Sequence, residues 1–129
     1  MSLVMVLEIE SGVRLDDVAQ TLVSLEATID RNPFIRGGLL PGSKCAFGLK
    51  VHPLPVPVRA QDVQVDWKVG VSMTFHFRAA TMQECLRDIY ALIELFATQH
   101  RHRFVLSLQY ERVYAIRDES GLDLVWKLP

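Results

Sequence analysis

The stretch VGVSMTFHFRAATMQECLRDIYALIELF, Val69 to Phe96, changes its period in the middle, and that change decides the fold. At its start Val69, Val71, Met73, Phe75 and Phe77 alternate with Gly70, Ser72, Thr74, His76 and Arg78, the period of two that marks a strand with one buried face. From Met82 onward the apolar residues Met82, Cys85, Leu86, Ile89, Leu92, Ile93 and Phe96 recur three and four apart, as on one side of a helix. Thr81 and Glu84 have the spacing of a capping box, in which hydroxyl and carboxylate each satisfy an orphan amide at the helix start. A strand and a helix in succession, each apolar on one side only, predict a sheet with helices packed against one face.

Upstream, Leu3, Met5, Leu7 and Ile9 alternate with Val4, Val6, Glu8 and Glu10, a first strand. Leu15, Val18, Leu22, Leu25 and Ile29 then form a helical stripe, with Asp16 and Asp17 in the first turn and Pro33 as its stop. NPFIRGGLLPGSK reads as a loop, and CAFGLKVH, where Cys45, Phe47, Leu49 and Val51 alternate with polar or small residues, as a strand. The run HPLPVPVRAQDVQVDWK carries Pro53, Pro55 and Pro57. Proline has no amide to give a central ladder, so this is an edge or an irregular connection. Downstream, FVLSLQYE is a strand with Phe104, Leu106, Leu108 and Tyr110 inward, and VYAIRDESGLDLVWKL is a hairpin turning at DESG.

The predicted order is strand, helix, strand, strand, helix, strand, then a hairpin. This is an α+β two-layer sandwich with a ferredoxin-like (split βαβ) core, both helices on one sheet face and a C-terminal β-hairpin extension. Right-handed crossovers place the two helices on the same side. The other sheet face is expected to be open.

The segment GGLLPGSK, Gly37 to Lys44, has the glycine spacing of a phosphate-binding loop, but Ser43 precedes Lys44 where that motif has Lys first. Its predicted neighbours are also reversed. A phosphate loop leaves a strand and opens a helix, so that amides converge on the anion, whereas here a helix precedes and a strand follows. No nucleotide is expected at this loop.

At 129 residues, half of them hydrophobic, the chain is long enough for a single α+β domain spanning 1–129 that folds without a metal or disulfide staple. Fourteen Lys and Arg against fifteen Asp and Glu leave a net charge of −1, without the basic excess of a nucleic-acid binder. The densest basic stretch, HRHR from His100 to Arg103, falls at a predicted helix end, where cations complement the dipole. Cys45 and Cys85 lie in no CxxC arrangement and read as free thiols, which suits a reducing compartment. The apolar opening MSLVMVL stops at Glu8 and carries no basic region ahead of it, so neither a secretory signal nor a membrane span is expected, and the expected location is cytoplasmic.

Strand alternation assigns to the open face Glu8, Glu10, Lys50, His52, Ser72, Thr74, His76, Arg78, Ser107, Gln109 and Glu111. All of these except Lys50 are the candidate binding residues, although solvent alone also selects a mixed polar face. A catalytic set is not expected: His76 with Ser72 or Ser107, oriented by Glu8 or Glu111, has the residue types, but neither serine sits in a nucleophile elbow. A metal site from His52, His76, His100 and His102 is not expected either, because His100 and His102 are two apart near a helix end, whereas one helical face needs three or four. No cofactor is implied.

ESGVRLDDV, Glu10 to Val18, resembles the strand-to-helix turn of ACT-type amino-acid-binding regulatory domains, over these nine residues and without the Pro usual before Gly12. The resemblance implies a small-molecule regulatory role on a split βαβ fold. Three classes follow: a non-catalytic protein-binding module, of the inhibitor or immunity type; a ligand-binding domain; and a small enzyme working on the polar face. The first leads, because a broad sheet face with Pro-rich and Gly-rich loops and no catalytic set suits a protein partner or a homodimer contact.

Overall fold

A computed structural model describes residues 2–29 and 36–126. Along the chain the elements are β1 (Ser2–Glu10), α1 (Leu15–Ser24), β2 (Thr28–Ile29), β3 (Arg36–Leu39), β4 (Ala46–Val56), β5 (Val69–Arg78), a short 3-10 turn (Ala79–Thr81), α2 (Met82–Gln99), β6 (Phe104–Leu108), β7 (Arg112–Asp118) and β8 (Gly121–Leu124). Among the described residues the strands form one eight-stranded sheet, every pairing antiparallel, in the order β2-β3-β4-β5-β1-β6-β7-β8. The protein is thus mixed α+β. β1 lies between β5 and β6, with Leu7 opposite both Met73 and Leu106, so α2 carries the chain across β1.

Alternation of apolar residues accounts for the core. Met5, Leu7 and Ile9 of β1, Met73, Phe75 and Phe77 of β5, Phe47 of β4, and Phe104 and Leu106 of β6 are buried in one cluster. Val18 and Leu22 of α1 and Cys85, Leu86, Ile89, Leu92, Ile93 and Phe96 of α2 belong to the same cluster. The α2 stripe is the one its spacing predicts. Gly121, with φ of +132°, makes the turn from β7 into β8, a backbone conformation open to glycine at little cost.

Several local expectations are corrected. The first helix ends at Ser24, and Ile29 lies in β2, because Glu26 takes a left-handed conformation (φ 64°) that a helix does not accommodate. Pro33 falls outside the described residues. Part of the expected loop is strand β3, with Gly37 opposite Gly48 and Gly38 opposite both Phe47 and Ile29. The Thr81–Glu84 box does not form: the 3-10 turn aims the Thr81 hydroxyl back at the Arg78 carbonyl, 3.2 Å away. The strand expected over FVLSLQYE stops at Leu108, where positive φ at Gln109 and Tyr110 turns the chain into β7.

The Pro-rich run sits where its lost amides matter least. β4 pairs with β5 continuously from Ala46 to Val51, the register then breaks, and pairing resumes only at Val56 opposite Val69. Pro53 and Pro55 fall inside the break. The following segment, residues 57–68, crosses back over the second sheet face instead of leaving it open. Gln61 N donates to the Tyr110 carbonyl, Ser11 N donates to the Lys68 carbonyl, and Ala60 is buried. Beneath this strap Ser107, assigned by alternation to the open face, is buried, and so are Val6 and Val105. Among the described residues no helix is long and apolar enough to cross a membrane.

Candidate functional site

The strap leaves one side of the second face uncovered, and there the sheet carries a cleft of about 450 Å³. Its floor follows from strand register. Glu8, Ser72 and Lys50 lie side by side across β1, β5 and β4, and Val6, Thr74 and Gly48 form the adjoining row. Gly48 has no side chain to fill its place in that row, which deepens the cleft beside Thr74. His52, two residues beyond Lys50 and on the same side, reaches back over Ser72. The walls are Arg59 of the strap and Tyr110 of the β6–β7 turn, with the Arg59 guanidinium 4.6 Å from the centre of the tyrosine ring. Leu49 and Val56 add apolar surface.

Glu8 is only 2% exposed, yet both its carboxylate oxygens are satisfied: Arg59 N donates at 2.8 Å and Ala60 N at 3.1 Å. It pins the strap to the sheet. Burial pushes its carboxyl above the ordinary range, and the two amides and the Arg59 charge pull only part of the way back. Because the folded value lies above the unfolded value of about 4.5, this group stabilises the fold most when protonated. That contribution is complete at pH below the unfolded value and is lost as pH rises through the folded one. Glu8→Gln removes the titration, so the difference between parent and variant urea midpoints should change with pH above 4.5 and level off once Glu8 is ionised. A difference that stays constant across that window would overturn this account of Glu8.

His52 Nε2 lies 2.8 Å from Ser72 Oγ. Burial, and secondarily the Lys50 charge, depress the pKa of His52, so its ring is neutral near pH 7. A neutral imidazole against a hydroxyl is half of a nucleophilic pair, but the rest is missing. Among the described residues no carboxylate holds the other ring nitrogen, and the converging amides of Arg59 and Ala60 already serve Glu8 rather than a developing oxyanion. Lys50 and Arg59 set two cations against one internally satisfied carboxylate, a balance suited to a ligand anion.

Of the predicted site residues, Glu8, His52, Ser72 and Thr74 meet at the cleft. Glu10 does not: it receives Arg103 through Nη2 at 2.9 Å and the Arg103 amide at 2.7 Å, in a separate ionic cluster where Arg103 also meets Asp66 and Glu119. His76 and Arg78 are exposed farther along β5, and Gln109 and Glu111 are exposed in the turn. Ser107 is wholly buried under the strap, its hydroxyl without a partner among the described residues. Sequence reading missed Gly48, Arg59 and Tyr110. A glycine inside a strand is a signal for close approach or open space, but the placement of Arg59 and Tyr110 depends on how the strap and turn fold back.

The GGLLPGSK segment ends in a contact that opposes phosphate. Ser43 donates its amide (2.7 Å) and its hydroxyl (2.6 Å) to Asp88 Oδ2 of α2, so the donors that would meet an anion already hold a carboxylate. Cys45 and Cys85 are buried free thiols, and burial together with Cys85 pushes Cys45 upward, away from thiolate reactivity. Comparison with protein-family models, with curated proteins and with solved structures finds no match to this chain.

Proposed function

We propose that this chain is a non-catalytic binding module on a ferredoxin-like, two-layer frame, and that its ligand is a small organic anion seated between Lys50, Arg59 and Tyr110. The strand order β4-β5-β1-β6, with α1 and α2 sharing one core, supports the frame. The observation that carries the ligand reading is the cleft itself, with its cationic wall, neutral His52–Ser72 pair and apolar side. Two buried free thiols support a reducing, cytoplasmic setting. Titration of the labelled protein with benzoate, phenylalanine and citrate should move the amide resonances of Gly48, Ser72 and Thr74 for at least one of the three. Lys50→Glu should weaken that ligand by roughly tenfold or more, since it replaces an attractive charge by a repulsive one. Absence of any shift at these amides with millimolar ligand would sink the reading.

A protein partner of the inhibitor or immunity type is the second reading. It is favoured by Leu54 and Val51, 84% and 48% exposed on the part of β4 beyond its pairing with the described residues of β3. A second copy pairing along that edge belongs to the same reading. In that case Leu54→Asp abolishes capture or self-association, and Lys50→Glu leaves it intact.

A further inference from the structure

On the helix side of the sheet, away from the cleft, three side chains converge where α1 begins and α2 ends. Asp17 lies in the first turn of α1, and His100 and His102 lie on the link from α2 to β6. His102 Nε2 is 3.2 Å from Asp17 Oδ2, His100 Nδ1 is 4.0 Å from Asp17 Oδ1, and one ligating atom from each residue lies within 4.8 Å of the others. A spacing of two keeps histidines apart only on a helix. His100 instead has φ −136° and ψ 158°, an extended conformation, in which residues two apart point the same way. Two apart is therefore a converging spacing here.

We propose that Asp17, His100 and His102 form a binding site for a first-row divalent transition-metal ion, with water completing its shell. Ligand atoms around such an ion sit about 2.0–2.2 Å from it, so they lie roughly 3–4 Å from one another, as these do after small adjustments. His100 explains why a simple ion pair is a poorer account. Among the described residues neither of its ring nitrogens makes a hydrogen bond: Nδ1 is too far from the carboxylate, and Nε2 is buried without a partner. A metal at Nδ1 satisfies that nitrogen and fixes the remaining proton on Nε2.

The surroundings hold the set in place. Arg14 N donates to Asp17 Oδ2 at 3.1 Å, an outer contact of the kind that orients ligating carboxylates. Arg117 Nη1 donates to the carbonyls of Ala97 and His100, both at 2.8 Å, fixing the end of α2. The Phe96 ring lies 5.0 Å from the His100 ring and 6.1 Å from that of His102. The three ligating side chains keep 15–25% exposure, enough for water to reach the ion. Two imidazoles and one carboxylate suit zinc, cobalt, nickel or ferrous iron and suit magnesium poorly.

The test is a cobalt(II) titration of protein purified without a histidine tag and stripped with chelator. One equivalent should give visible ligand-field bands without sulfur-to-metal charge transfer, and zinc but not magnesium should displace it. Zinc should also raise the melting temperature, since it binds only the folded arrangement. His102→Ala and Asp17→Asn should each weaken cobalt by more than about tenfold, while His76→Ala and Cys45→Ala should not. Should His102→Ala fail to fold, the near-isosteric Asp17→Asn carries the test alone. Absence of bands in the parent overturns the site, and so do bands that persist in Asp17→Asn or disappear only in Cys45→Ala.

Discussion

Replacing Ile89 by alanine should lower the unfolding free energy by about 2–5 kcal/mol, a large share of the roughly 5–15 kcal/mol that holds a domain together. Ile89 is fully buried at the centre of the α2 stripe, in the cluster that contains Phe75 and Phe96. Truncation removes apolar contacts and leaves a cavity that both sheet and helix border, and neither can collapse into it without disturbing its own hydrogen bonds. The expected signature in urea is a lower midpoint with an unchanged slope. Glu94→Ala on the exposed side of the same helix is the control, with an expected change within about 0.5 kcal/mol. A midpoint for Ile89→Ala equal to the parent's would mean that α2 packs through a different side.

Gly38→Ala is expected to disrupt the edge of the sheet although it adds a single carbon. A Cβ at this position would stand 1.8 Å from the Thr28 carbonyl oxygen and 2.9 Å from the Phe47 ring. The first of these is backbone, so no rotamer change relieves it. β2 must separate from β3, or β3 must withdraw from Phe47, and the cost is roughly 1–3 kcal/mol or somewhat more. Amide exchange locates the damage: Ile29 and the neighbouring edge should lose protection while Met5 and Leu7 in the central strand keep it. Gly48→Ala provides the contrast, because its nearest neighbour would be the Thr74 hydroxyl at an ordinary 3.5 Å. Equal protection in Gly38→Ala and the parent would show that the two strands are not in the close register described.

Elements with a strong period were legible in the sequence, and their contacts with one another less so. The alternation of Val69 to Phe77 and the α2 stripe depend on neighbours a few residues apart, and both appear as read. Short β2 and β3 have too few residues to show a period, and the glycines of β3 mimic a loop. Alternation alone places Ser107 on the same face as Ser72 but is blind to a strap arriving from residues 57–68. Four candidate residues therefore meet at the cleft, while Ser107 is buried and Glu10 is taken by Arg103. A spacing of two near a helix end disfavours His100 and His102 as joint ligands, and the extended conformation at His100 reverses the meaning of that spacing.

The central position of β1 governs the order in which this protein can be made. Its residues leave the ribosome before either neighbouring strand, and Met5 finds its two sheet partners, Phe75 and Leu108, only once β5 and β6 have also emerged. Until then Met5, Leu7 and Ile9 are an apolar ribbon with both edges unpaired, the kind of segment that recruits other chains. Closing contacts over such separations also costs loop entropy before any pairing compensates, so folding belongs with slower mixed and β-rich domains rather than with helical bundles. Nascent chains halted before β5 should therefore need a chaperone to stay dispersed, whereas chains released after β6 should not.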